Sequence, residues 1–467
     1  MSRAALRHLG LAAALTALSA CSTVGPDYAL PREAVYNRPA ANAPFLDTGN
    51  AQVRPGAPLP ARWWALYQDP MLDGLVEQAL RDNVELKVAS ANLRRAAAVY
   101  EQALDAGGFD YEVEAGVSRA QVSAEAFLQE EKLPVFNLAD GKFGVSYQFD
   151  LFGKLQRGAE AAHADTQAAQ AAIDLARVSV AAQVAGSYVE ICNANHELHV
   201  AEHSLQLQQR SRTVTQRLIS AGRGTPPDLA RATAQVAMLE AALPPLRARR
   251  QAAGYALAAL LGKTPGELPA GVDSCAHAPA LQQPIPIGDG RTLLARRPDV
   301  RHAELYPDIR LGGSIGATGL LADIGEPATH AWSIGPLISW TLPSSGAHAR
   351  VRATEAGADA AVAQFDHTVL QALREVQTTL SRYAQDLDRL RLLEQAQQQA
   401  ELASSQNRRL YQGGRTPYLS SLDAERTLAT ADMTLADAQA QVSKDQIQLF
   451  LALGGGWEPA TDATAAR

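Results

Sequence analysis

The sequence predicts a mainly α-helical protein with a small β part, arranged as an internal twofold repeat. Three observations carry this. Leu155 to Ser220 and Ala347 to Gln412 each run about 65 residues without proline, the residue that breaks helix interiors. Short segments of apolar–polar alternation precede each of them. The chain also matches itself at a displacement of 192 residues: Val184 with Val376, Arg217-Leu218 with Arg409-Leu410, Gly222 with Gly414, Ala232 with Ala424, and Leu261-Gly262 with Leu453-Gly454.

Residues 1–20 read as a lipoprotein signal peptide. Arg3 and Arg7 give a basic start, Leu9 to Leu18 an apolar run too short to span a bilayer, and Leu18-Ser19-Ala20 precede Cys21 as at a lipoprotein cleavage site. On that reading Cys21 becomes the lipidated first residue, and Ser22 in place of Asp directs it to the outer membrane. The competing reading is an ordinary signal peptide with an incidental cysteine. Residues 21–60 follow as an N-terminal anchor segment.

Aromatics make up 6% of the 467 residues, which suits long helices with narrow apolar seams better than a thick globular core. The formal net charge of −7 leaves no electrostatic footprint for nucleic acid. No apolar run outside the leader reaches the length of a membrane helix. The ten histidines are scattered without metal-ligand spacing, so neither a metal nor another cofactor is indicated. Cys192 and Cys275 can pair in an oxidising compartment or stay free thiols.

The first repeat covers residues 61–270, with a helix, a strand pair in 111–152 and a helical hairpin in 155–262. At 1.5 Å per residue the long helix of each copy reaches about 100 Å. In the second copy, seam positions such as Leu387, Leu390, Leu393 and Leu402 recur at mixed spacings between polar residues, the pattern of helix-on-helix packing. Gly222-Arg223-Gly224-Thr225-Pro226-Pro227 and Gly413-Gly414-Arg415-Thr416-Pro417 stop the long helices and send back returning ones. The second repeat, 271–457, holds a shortened helix, a strand pair in 309–342 and a hairpin in 346–454; residues 458–467 are a tail.

Strands are expected at Tyr111 to Ser123, Phe143 to Phe152, Ile309 to Gly316 and Trp332 to Leu342. Phe143, Val145, Tyr147, Phe149 and Leu151 alternate with Gly144, Ser146, Gln148 and Asp150, a stripe that fits a strand between lipid and a wet lumen. Soluble half-buried hairpins are the alternative. Four strands cannot close a membrane barrel, and open edges are not tolerated in lipid. If these strands span, several copies must share one barrel.

The copies differ at one place. Ala79, Arg81 and Val84 match Ala295, Arg297 and Val300 at a displacement of 216, but Val113 matches Ile309 at 196. About twenty residues of copy one, roughly Ser90 to Phe109 and worth on the order of 30 Å of helix, therefore have no counterpart in copy two. There the Arg297-Pro298-Asp299-Val300-Arg301 segment runs straight on to Glu304-Leu305-Tyr306-Pro307.

With these residues in view the chain resembles the TolC-like outer-membrane efflux factors, in particular the lipid-anchored branch that works with resistance-nodulation-division pumps. The motifs in order are Cys21 to Tyr28, Trp63-Trp64 through Asp69-Pro70 to Leu72, and Asp150-Leu151-Phe152-Gly153-Lys154. Leu243-Pro244-Pro245-Leu246, Arg296 to Val300, and Leu422-Asp423-Ala424 complete the set. The resemblance implies a homotrimer in which each subunit gives four strands to a shared transmembrane β-barrel and its hairpins to an α-barrel through the periplasm. It also implies partnership with a periplasmic adaptor protein and an inner-membrane pump, contact with outer-membrane lipid, and passive export of small molecules without catalysis. By the same resemblance Asp228, Tyr411 and Asp423 fall at a constriction on the helix tips, where three symmetry copies of an acid would form a cation-attracting ring. Asp423 pairing with Arg426, and Asp228 as an ordinary helix N-terminal acid, are the plainer readings. Ser420 and Thr416 depart from the charged residues of the better-known channel.

The missing helix would thin the upper tunnel wall or leave a defective channel; a lipid-anchored periplasmic coiled-coil scaffold is the rival from another class. Gly312-Gly313-Ser314-Ile315-Gly316 satisfies the hydrolase elbow pattern, but that motif needs a helix after the serine, and a small-residue strand explains it better. Trp63-Trp64 reads as core or subunit packing rather than a ligand-stacking site.

Overall fold

The computed structural model describes residues 31–46, 49, 51–121, 123, 124, 130–132, 134–150, 153–289, 308–339 and 346–455. Cys21 and the signal peptide, Leu151-Phe152, the Arg296–Val300 motif, the junction near 302–306, residues 340–342 and the 458–467 tail lie outside them.

In chain order the elements are β1 (Val53–Pro55), α1 (Pro70–Asp82), α2 (Val84–Asp105), β2 (Phe109–Ala120), β3 (Phe136–Phe149), α3 (Lys154–Ser220) and α4 (Pro226–Leu260). Then come β4 (Ile285–Gly288), β5 (Asp308–Leu320), β6 (His330–Ser339), α5 (Ala347–Gln412) and α6 (Tyr418–Ala452). The long helices α3 and α5 measure 67 and 66 residues, and the returning helices α4 and α6 35 each. The predicted bounds of α3 and α5 hold to within one residue. Among the described residues no helix is long and apolar enough to cross a membrane.

The sequence motifs double as helix-start devices. The Asp150 carboxylate accepts from the Leu155 and Gln156 amides at 3.1 and 2.9 Å, with Gly153 at φ +77° turning the chain into α3. Asp69 does the same for α1, accepting from Met71 and Leu72 at 2.8 and 3.1 Å, while its other oxygen accepts from the Tyr188 hydroxyl at 3.1 Å.

Two compact units emerge. One comprises described residues of 1–31, 92–169 and 299–365; the other, those of 32–91, 170–298 and 366–467.

The first unit holds one antiparallel sheet in the order β2-β3-β5-β6. Its register puts Phe109, Tyr111, Val113 and Val117 of β2 in line with Tyr147, Val145, Phe143 and Ala139 of β3, and onward to Leu311, Ile315, Trp332 and Ile334. The opposite face carries Asp110, Glu112, Glu114, Asp140, Lys142, Ser146, Gln148, Arg310, Ser314 and Ser333. β3 begins at Phe136, seven residues before the predicted start. The reason is that Phe136 and Leu138 fall on the polar face and Asn137 on the apolar one, so the stripe is scrambled there while backbone pairing with β2 continues.

The core of the second unit gathers around Trp63, fully buried, whose ring stacks on Phe450 at 4.5 Å. The Trp63-Trp64 pair is therefore core. Gly455 lies so close that a Cβ there would stand 2.6 Å from the Trp63 ring. β1 pairs in parallel with β4, Val53 opposite Ile285. Arg249 of α4 bridges Glu190 and Glu197 of α3 at 2.7 and 2.8 Å, and Lys444 of α6 reaches Glu190 at 2.9 Å, tying the two hairpins together. Cys192 and Cys275 form a disulfide with Cα atoms 5.2 Å apart, which settles the pairing that spacing left open.

Candidate functional site: the hairpin tips

Each hairpin turns through the same backbone device. After α3, the Arg223 amide donates to the Leu218 carbonyl at 2.8 Å and Gly222 to Ile219 at 2.9 Å; after α5, Arg415 donates to Leu410 at 2.8 Å and Gly414 to Tyr411 at 2.9 Å. Gly222 and Gly414 sit at φ +71° and +68°, a left-handed geometry that L side chains resist. Thr225 then caps α4 together with Asp228, whose carboxylate accepts from the Thr225 hydroxyl at 2.6 Å and its amide at 3.3 Å.

Next to these turns, side chains from three helices meet. The Tyr418 hydroxyl, at the start of α6, donates toward Ser211 of α3, with its carbonyl and Oγ each 2.7 Å away. Ser211 in turn donates to the Glu425 carboxylate at 2.7 Å, and Arg408 of α5 stands 3.5 Å from the other Glu425 oxygen. Tyr411 packs its ring on Tyr418 at 5.2 Å. Burial pushes the Tyr418 hydroxyl pKa up, only partly offset by its bonds to Ser211 and Thr215, so it stays a donor throughout the neutral range. The chain Arg408–Glu425–Ser211–Tyr418 is a polar latch between the two hairpins.

Of the three residues assigned to the constriction, only Tyr411 joins this cluster. Asp228 is occupied as the helix N-terminal acid. Asp423 is exposed; its carbonyl accepts from Thr427, but among the described residues its carboxylate has no ion-pair partner in this chain, Arg426 included. Sequence reasoning missed Ser211, Tyr418, Glu425 and Arg408. One signal was available: Tyr418 and Glu425 stand seven apart, on one face of α6.

The sheet is the other functional surface. Phe109, Tyr111, Val113, Ile315, Trp332 and Ile334 are 64–77% exposed and share one face, a surface unfit for water. On the other face Lys142 sits 3.7 and 3.6 Å from Glu112 and Glu114. Ser314 lies within β5, which continues to Leu320, and its hydroxyl is 2.9 Å from that of Ser333. The helix required by a hydrolase elbow is absent there.

The family model for outer membrane efflux proteins matches residues 75–263 and 295–455. Nodulation protein T of Rhizobium leguminosarum bv. trifolii is 27% identical over 96% of this chain and 97% of its own length. Outer membrane protein OprJ of Pseudomonas aeruginosa is 28% identical over 91% and 92%. Among solved structures, the outer-membrane channel OprN matches with a TM-score of 0.83 at 32% identity, covering 94% of this chain and 100% of that one. The open state of the MtrE outer membrane channel of Neisseria gonorrhoeae matches at 0.76 and 25%, covering 93% and 98%.

Proposed function

Because the chain belongs to the outer membrane efflux protein family, we propose that it is the outer-membrane channel subunit of a tripartite efflux system. It exports small molecules passively across periplasm and outer membrane. The observation that carries this is the four-stranded sheet with one exposed apolar face and one charged face. Such a sheet is stable in lipid only when closed, and three copies supply twelve strands, an even number within the range of closed barrels.

In this reading the subunit is anchored in the outer membrane by lipid on Cys21 and works as a homotrimer with a periplasmic adaptor and an inner-membrane pump. The tip latch holds the hairpins of one subunit together, and Asp423, exposed on α6, is free to contribute to a ring across the trimer axis beside Tyr411. Asp228 supports the same turn from its capping position. The chain performs no reaction of its own. The test is conductance of the purified protein in a planar lipid bilayer: discrete cation-carrying steps support the channel, and silent bilayers containing well-formed oligomers refute it.

One observation favours a second reading, a channel impaired in transport. α1 and α2 span 13 and 22 residues ahead of β2, whereas fewer than twenty, residues 289–307, separate β4 from β5. A strain lacking the chain, complemented with it as it stands or with a helix restored before Tyr306, separates the readings. Equal drug resistance keeps the functional channel, and rescue by the restored form alone establishes the impaired one.

A further inference from the structure

A cluster in the second unit has no part in the channel reading. Cys192 of α3 is bonded to Cys275 in the segment that follows α4, and Asn195 clamps the same segment by donating to the carbonyls of Asp273 and Cys275 at 3.0 and 2.9 Å. These two ties set His196, one helical turn beyond Cys192, against His277, two residues beyond Cys275. The imidazole centroids lie 4.6 Å apart with planes tilted by 50°. His196 Nδ1 is buried without a hydrogen-bond partner, and His277 is exposed. A buried ring nitrogen left unpaired costs about 1–3 kcal/mol, so something is expected to meet it.

We propose that His196 and His277 form a chelating site for a divalent transition-metal cation of the copper and zinc class. Imidazole is the common protein ligand for these ions, at about 2.0–2.1 Å for zinc. Two nitrogens on one tetrahedral ion stand about 3.3 Å apart, a spacing that rings with centroids 4.6 Å apart reach by rotation of the exposed His277. Burial and the neighbouring His277 hold the His196 pKa down, with Gln439 opposing, so its ring is neutral and keeps a lone pair at neutral pH. Among the described residues no group of three or more His, Cys, Asp or Glu side chains converges. Water therefore completes the shell, and the protein contributes two ligands held in place by a covalent bond and a double hydrogen bond.

The test uses untagged full-length protein in detergent with its disulfide intact, titrated with Cu2+, the strongest binder of the divalent series. Binding is followed by calorimetry and by the nitrogen hyperfine pattern of the copper resonance. The expected result is one Cu2+ per chain with two nitrogen ligands. His277→Gln, a surface change that leaves folding intact, weakens binding at least tenfold and removes one nitrogen, whereas His367→Gln on α5 changes neither. Absence of equimolar binding, or a His277→Gln protein that binds with unchanged affinity and pattern, overturns the site.

Discussion

Single residues at the tips decide how firmly two hairpins are held. A hydrogen bond of the Tyr418 kind contributes about 0.5–1.5 kcal/mol net, and more when the acceptor left behind is buried. Tyr418→Phe is therefore expected to loosen the latch and raise single-channel conductance while leaving the amount of assembled protein unchanged; an unaltered conductance shows that the latch does not gate. A second residue gives a pH prediction. Asp445 of α6 is buried, with one oxygen accepting from Gln441 and the other unpartnered; burial and then the neighbouring Asp386 raise its pKa to about 6. A carboxyl whose folded pKa lies above its unfolded value binds more protons when folded, so stability falls as pH rises from about 4 to 6 and is flat above. Denaturant titrations at pH 4.5 and pH 7 are expected to show a smaller shift of stability toward the lower pH in Asp445→Asn than in the unaltered protein. Equal slopes in both proteins contradict the assignment.

At the scale of elements, helices were more legible than strands. The absence of proline and the glycine stops located α3 and α5 because those signals act locally, through φ preference and capping. Alternation gives β3 too short at its N-terminal end because pairing with β2 holds residues whose faces are exchanged, a tertiary effect that it cannot report. The latch was illegible for a related reason: Ser211 and Tyr418 are 207 residues apart and meet only when the hairpins pack. Cysteine spacing likewise left the disulfide undecided until folding placed the two Cα atoms 5.2 Å apart. That bond closes a long loop, and Cys275→Ser is expected to lower stability by about 2–5 kcal/mol, measured by denaturation under non-reducing conditions. A loss smaller than 1 kcal/mol, on the order of ordinary surface changes, contradicts a stapling role. On the sheet, Ile315→Lys puts a charge on the apolar face and is expected to cost about 2–4 kcal/mol if that face meets the bilayer midplane. The readout is loss of heat-modifiable oligomer from outer membranes; Ser314→Lys on the opposite face is expected to assemble normally.

For the whole molecule, the decisive step is the pooling of several chains. An exposed apolar sheet face and unpaired edges on β2 and β6 are each costly in one isolated chain, and each is relieved when several chains surround one axis. Family membership fits the proposed homotrimer, in which one polypeptide would supply a third of a barrel and a third of a tunnel. The most direct measurement is the native mass of the protein extracted from outer membranes in mild detergent. Three chains per particle is the predicted result, and a particle containing a single chain would contradict the shared barrel.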